Sequence, residues 1–412
     1  MNNTNLINLL YQTNPWWGDK KFTFKLKERL EYLIPILERK NNLINILIGA
    51  RRVGKTFILK SIINKLLLSN ITTSNILYIS CDAREIKENG IKKIIDTYMD
   101  KFGLKINDSI YVFLDEIQEI PDWQSDVKYF YDNLNIKFYL TGSSSLILSN
   151  QTSKLTGRFI LQHILPLSFS EYLLFTKQTL SKTDKYNNRI LEKYLQTGGY
   201  PEYVLSNDRE YLMGAVESTL YRELLEVYGI RNPTLLRNLI EYLSDKITNY
   251  VSANKIRQDL KIDDRTAKFY LQYLQDIYLI FPVYKAGKSY RISRGSVPKY
   301  YFNDTGILNM FSLNPKIGQL AENAVFLHLM KKEKSKQSNL IFYENINNIE
   351  VDFKSNNKIY EVKFRDGNMD EDLMKYQVIE DKITFIVKEN YHKFHNILPQ
   401  HEQIKLYEFL SN

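Results

Sequence analysis

The sequence predicts an α/β protein that starts with a parallel sheet covered by helices and continues into smaller domains. Three observations carry that prediction. First, apolar runs of strand length at 43–48, 75–80, 109–114 and 137–142 alternate with helical patterns at 57–68, 86–102 and 124–134, the rhythm of a parallel α/β sheet. Second, Gly49-Ala-Arg-Arg-Val-Gly-Lys-Thr56, of the form G-x-x-x-x-G-K-[ST], lies between the first run and the first helix. Third, two later runs end in polar residues, Asp115-Glu116 and Thr141 to Ser145. All three polar segments fall at carboxyl ends of strands, where such sheets gather ligands.

Length and composition set the limits. A chain of 412 residues suggests two to four domains. No stretch reaches eighteen apolar residues, so no membrane span is expected, and the first residues, Met1-Asn-Asn-Thr-Asn, lack the basic and apolar regions of a signal peptide. The single cysteine, Cys81, excludes an intrachain disulfide or a cysteine-based metal cluster. A reducing, cytoplasmic setting fits. Five scattered histidines give no zinc-ligand spacing. Net charge is +9, and the excess is local: Lys246 to Lys299 holds eleven Lys/Arg against four Asp/Glu, a balance of +7. A concentrated basic segment points to nucleic acid or another anionic partner, whereas a lysine-rich composition alone would spread the charge.

In chain order, Asn14-Pro-Trp-Trp17 places two adjacent tryptophans near the start. They dock on the following domain or help cover a nucleotide base. Phe24 to Leu43 reads as an amphipathic helix, with Leu26, Leu30, Leu33, Ile34 and Leu37 at helical spacing. In Gly49–Thr56, backbone N–H groups and the start of the next helix form an anion site. Gly49, Arg51, Arg52, Gly54, Lys55 and Thr56 would contact the nucleotide, Lys55 at the β- and γ-phosphates, while the Thr56 hydroxyl would also hold Mg²⁺. ATP and Mg²⁺ are therefore the expected cofactors. Asp115 would enter the Mg²⁺ shell, and Glu116 would orient and polarise the attacking water. Ser143, or Thr141, stands where a polar side chain would sense the γ-phosphate; the alternative is a Ser-rich turn capping a helix. Arg158, after a Thr-Gly turn, is either a surface residue or an arginine finger. Ser168 to Glu171 has the form of a capping box, and 170–245 is mostly helical in pattern, interrupted by Gly198-Gly-Tyr-Pro201.

Gly49–Thr56, Leu114-Asp-Glu-Ile-Gln118, Leu140-Thr-Gly-Ser-Ser-Ser145, Leu155–Arg158, Leu167-Ser-Phe169 and Gly198–Pro201, in that order, resemble archaeal and bacterial AAA+ ATPases of the STAND-related group. The resemblance covers nearly the whole chain. It implies a P-loop core, a helical lid, a winged helix and a C-terminal domain similar to restriction endonucleases. It also implies that Arg158 is the finger and that Asn14–Trp17 is a motif found at the start of such proteins.

The basic segment fits a winged helix: a short helix at 252–260, a turn, a second helix at 265–276, then two strands flanking the loop 285–294. Arg265 and Lys268 lie early on the second helix, the position for groove contact, and Lys288, Arg291 and Arg294 in the loop would bind phosphate. The alternative is a fold used only for packing. In the last hundred residues, Asp352, Glu361 and Lys363 form D-x₈-E-x-K across two strands. Alternation along a strand puts Glu361 and Lys363 on one face. This resembles the PD-(D/E)xK nuclease motif, with Val351 where its proline would stand and Glu322 as a helix-borne acid. Glu322, Asp352 and Glu361 would then hold Mg²⁺ and Lys363 would activate water; the alternative is a retained fold with acids on a solvated face.

The expected division is an ATPase core at 1–165, a helical lid at 166–245, a winged helix at 246–312 and a small nuclease-like α/β domain at 313–412. The expected function is Mg²⁺-dependent ATP hydrolysis acting on DNA, with an unknown protein partner and a homo-oligomer if Arg158 acts in trans. The rival is a nucleotide-gated signalling or defence switch whose last domain is an adaptor.

Overall fold

The expected strands of the first part form one sheet in a computed structural model, which describes residues 3–69, 71–142, 152–219, 232–287, 295–335 and 341–411. They are β1 (Ile44–Ile48), β2 (Ile76–Ser80), β3 (Ile110–Asp115) and β4 (Ile136–Gly142), joined by β5 (Phe159–His163), in the order β2-β3-β4-β1-β5. Every pairing is parallel. β1 is buried at all five positions, as parallel strands are when helices cover both faces. Helices Lys55–Leu68, Arg84–Phe102 and Trp123–Asn133 make the crossovers. β5 is only partly buried, which is why its apolar signal is weak in the sequence.

β2 is the sheet's edge, and the start of the chain seals it. The Asn14 amide donates to the Tyr78 carbonyl at 2.9 Å and accepts from the Tyr78 N–H at 2.6 Å, two bonds that a neighbouring strand would make. Both indole N–H groups, of Trp16 and Trp17, donate to the Ile76 carbonyl. Trp16 is fully buried, and Trp17 stacks on Tyr98 with centroids 5.6 Å apart. Of the two readings for this segment, docking is the one observed.

The long helix expected at 24–43 is a correction: helix covers only Leu30–Leu37. Asn64 takes both backbone groups of Phe24, at 2.9 Å each, and Phe22 and Phe24 pack on Trp16. Side-chain pairing and aromatic packing override a helical repeat there.

The chain divides into two compact units, Met1–Ile164 and Leu165–Asn412. The second begins with the helices Phe169–Thr176, Asp184–Thr197, Pro201–Ser206, Arg209–Thr219 and Pro233–Asp245. The capping box forms, with Ser168 and Glu171 bonded reciprocally. Ala253–Leu260 and Asp264–Asp276 follow. Among the described residues the sheet of this unit has seven strands: β6 (Ile280–Lys285), β7 (Lys299–Phe302), β8 (Ile341–Ile346), β9 (Ile349–Ser355), β10 (Lys358–Lys363), β11 (Ile383–Val387) and β12 (Glu402–Lys405). Their order is β12-β11-β10-β9-β8-β6-β7, with parallel and antiparallel pairs mixed. β6 pairs with β8, so one sheet runs through the position where a boundary is expected, 312/313.

Gly198-Gly199, which reads in the sequence as a break in the helical pattern and as part of the motif set behind the resemblance, is a joint in this unit. The Gly199 N–H donates to Asp304 at 2.6 Å, and its carbonyl accepts from the Leu167 N–H at 2.6 Å. A Cβ on Gly199 would run into the Leu167 backbone. Asp304 also caps the helix Thr305–Phe311 through the Ile307 N–H.

Candidate functional site

Gly49–Thr56 leaves the carboxyl end of β1 and enters the helix Lys55–Leu68. Gly49 passes so close to β5's end that a Cβ there would strike the Ile164 carbonyl oxygen. Gly54, at φ 98, makes the left-handed turn at the helix start. Arg52 holds φ 62 without being glycine, the kind of backbone strain that persists where a loop is over-determined. Lys55 is buried, and its ammonium donates to the carbonyls of Gly49 and Ala50, each at 2.9 Å. Arg29, also buried, donates to the Val53 carbonyl at 2.8 Å and lies over the Tyr32 ring. The loop is thus a narrow cradle with a lysine at its floor, a fit for phosphate.

β4 lies between β1 and β3, so Thr141 stands between the loop and Asp115. Asp115 is buried at the end of β3. One of its oxygens accepts from the Thr141 hydroxyl and the other from the Tyr78 hydroxyl at 2.8 Å. Thr141 in turn accepts from the Glu116 N–H at 2.9 Å. Glu116 sits at φ 53, and Gln118 donates to its carboxylate at 2.6 Å. Burial, then the neighbouring Asp115 charge, holds the Tyr78 phenol well above its ordinary value, so it stays a hydrogen-bond donor. The same two causes raise the Cys81 thiol, which is buried.

The second unit has its own buried charged cluster. Glu361 accepts from Tyr376 at 2.6 Å and from Lys363, and its other oxygen accepts from the Asp352 N–H at 3.2 Å. Asp352 accepts from the Val362 N–H at 2.8 Å. Tyr301 donates to Glu322 at 2.7 Å. Lys299, on β7 and buried, pairs with Glu350, which also accepts from Tyr250. Burial pushes the Glu322 carboxyl up to about 7, against the pull of Lys299, and pushes Asp352 well above the carboxylate range, helped by Glu322 and Glu361. Burial alone would lower Lys363, but Glu361 and Asp352 hold it above the ordinary lysine value. Among the described residues, no group of three or more His, Cys, Asp or Glu side chains is arranged to hold a metal ion. The three acids expected to do so are brought together, but ammonium and phenol groups lie among them.

Residues 41–173 match the family described as AAA domain, and residues 188–317 match a domain of unknown function (DUF8612). The first unit therefore carries an AAA-type P-loop ATPase domain. The uncharacterized protein MJ1544 of Methanocaldococcus jannaschii is 32% identical over 328 residues, 76% of this chain and 72% of that one. The chain belongs to the family of MJ1544. An uncharacterized protein of Haemophilus influenzae is 25% identical over 320 residues, 74% of this chain and 78% of that one. Among solved structures, AMPPCP-bound DnaA from Aquifex aeolicus is 15% identical, covering 64% of this chain and 92% of that chain with a TM-score of 0.34. The S. cerevisiae Hsp104-ADP complex is 16% identical, covering 60% and 50%, with a TM-score of 0.32. No helix among the described residues is long and apolar enough to cross a membrane.

Within the AAA domain, Lys55, Asp115 and Glu116 gather at the carboxyl end of one parallel sheet. Arg158 does not. It precedes β5, its carbonyl accepts from the Ile44 N–H, and its guanidinium pairs with Asp132 at 2.8 and 3.2 Å. Ile44 pairs with Phe159 and Ile48 with His163, so Arg158 sits at the amino end of the sheet. A five-residue strand spans roughly 16 Å, which takes this arginine away from its own P-loop. Ser143, Lys288, Arg291 and Arg294 lie outside the described residues. Arg265 and Lys268 are exposed on the helix Asp264–Asp276, where Lys268 pairs with Asp264 at 2.6 Å. Sequence reasoning missed Tyr78, Arg29, Lys299 and Tyr301. Nothing in their local patterns marks them, because the Tyr78–Asp115, Arg29–Val53, Lys299–Glu350 and Tyr301–Glu322 contacts form only through tertiary structure.

Proposed function

We propose that the AAA domain hydrolyses ATP with Mg²⁺. The observation that carries this reading is the convergence of Lys55, Asp115, Thr141 and Glu116 at the carboxyl ends of β1, β3 and β4. Lys55 would exchange its carbonyl partners for the β- and γ-phosphate oxygens, with the loop's N–H groups beside it. Thr56 and Asp115 would hold Mg²⁺, which supplies neutralisation of phosphate charge when bound. Glu116, held by Gln118, is the group that polarises the attacking water. Arg158, at the far end of its own sheet, serves a neighbouring copy if it serves as a finger at all. Phosphate release should be lost in Lys55→Ala; turnover equal to that of the parent chain overturns the assignment.

For the second unit we favour a binding role over metal-dependent cleavage. The helix pair and the antiparallel β6–β7 pair fit a winged helix, with Arg265 and Lys268 on its exposed helix as DNA contacts. Lys363 already bonds Glu361, one of the acids that a nuclease would use for a metal, and Lys299 stands near the other two. Single- and double-stranded DNA incubated with Mg²⁺ or Mn²⁺ should remain intact while binding weakens in Arg265→Ala. Cleavage that disappears in Asp352→Ala overturns the binding role.

A further inference from the structure

Asn14-Pro-Trp-Trp17 has no part in the reaction as described, yet it is joined to the metal-side carboxylate by a short path. Tyr78 and Asp115 lie on adjacent strands. Tyr78 pairs with Phe113, and Asp115 is two residues further on, so both side chains share a face and sit diagonally. A long aromatic side chain spans that diagonal, and the Tyr78 hydroxyl reaches Asp115 at 2.8 Å. What sets the place of Tyr78 is its other edge. Among the described residues no strand pairs with β2 there; Asn14 bonds both backbone groups of Tyr78, and the two indoles hold Ile76 two residues earlier. Asn14 is itself fully buried and bonded to the Leu10 carbonyl at 2.8 Å.

We propose that Tyr78 is a positioning residue for Asp115 and that Asn14–Trp17 is the clamp that sets it. The proposal rests on the ATPase reading of the same site. Thr141 and Tyr78 fix the two oxygens of Asp115 from the strands on either side of β3, so the carboxylate's rotation is determined by two hydroxyls. Groups that orient a metal-side carboxylate commonly change metal affinity by about 10-fold when removed. Phenylalanine at 78 removes one oxygen and keeps the ring.

The test uses the full chain and a fluorescent ATP analogue, titrated in EDTA and across a range of Mg²⁺. In Tyr78→Phe, affinity in EDTA should be unchanged, while the Mg²⁺ concentration for half-maximal tightening rises about 10-fold. Asn14→Ala should shift it in the same direction by less, and Tyr78→Phe/Asn14→Ala should be no worse than Tyr78→Phe alone. Trp17→Phe, which loses only the indole N–H, repeats the Asn14 arm if Asn14→Ala does not fold. A wild-type Mg²⁺ response in Tyr78→Phe overturns the positioning role alone. An Asn14 effect that persists in the Tyr78→Phe background overturns the clamp. If the parent chain binds the analogue equally with and without Mg²⁺, and Lys55→Ala binds as the parent does, the ATPase reading falls with the proposal.

Discussion

Asp115 in the first unit and Glu361 in the second are both buried acids on sheet strands, held in opposite ways. Among the described residues, the hydrogen bonds to the Asp115 carboxylate come from two hydroxyls, of Tyr78 and Thr141. Glu361 is held by the Lys363 ammonium as well as by Tyr376, and Lys299 stands near its neighbours. Hydroxyls orient a carboxylate and leave its negative charge for an incoming cation. An ammonium in contact satisfies that charge within the protein. On the proposed reading the two acidic sites suit different work: one would receive a cation with its nucleotide, and the other is a buried network that joins β7, the helix Ile317–Ser335, β9 and β10.

Removing charge from each site separates the two. Asp115→Asn keeps the shape and should lower ATP turnover by about 10²–10³-fold, the range for losing one preorganised charge-stabilising group; steady-state phosphate release measures it. Lys299→Met should act on stability, costing about 3 kcal/mol because Glu350 and the nearby acids lose their counter-charge. Denaturant unfolding measures that loss, and adding Glu350→Gln should restore part of it. If Lys299→Met leaves stability unchanged, the network is not closed by that lysine.

Taken per pH unit, the smallest effects are in pH dependence. Burial raises Asp304 from 3.8 to about 6, against the N–H groups that bond it. The folded state then holds more protons than the unfolded state between those values, so this group's contribution falls as pH rises through the window. Burial lowers His328 from 6.5 to about 3. There the folded state holds fewer protons, and stability falls as pH drops from 6.5 towards 3. Asp304→Asn should steepen acid destabilisation and His328→Phe should flatten it, each by at most about 1.4 kcal/mol per pH unit. Melting curves across the mildly acidic range up to neutrality read both.

The first site is legible in sequence because its parts are local. Gly49–Thr56 is one strand-turn-helix, and Asp115 and Glu116 end an apolar run. Glu361 and Lys363 are equally local, since alternation alone puts them together. The rest depends on topology. Tyr78 meets Asp115 only because β2 lies beside β3, and Lys299 meets Glu350 only because β6 joins β8. Arg158 shows the same limit from the other side: a Thr-Gly-Arg segment gives no sign of which end of the sheet it occupies until β5 is paired in register with β1.

The contrast between the sites is tested most directly by counting metal ions. Mn²⁺ titrated into the full chain with a non-hydrolysable ATP analogue, and followed by its electron paramagnetic resonance signal, should bind at one site per chain. That site should need the analogue, weaken in Asp115→Asn and persist in Asp352→Ala. A second Mn²⁺ per chain, independent of nucleotide and lost in Asp352→Ala, would contradict the account.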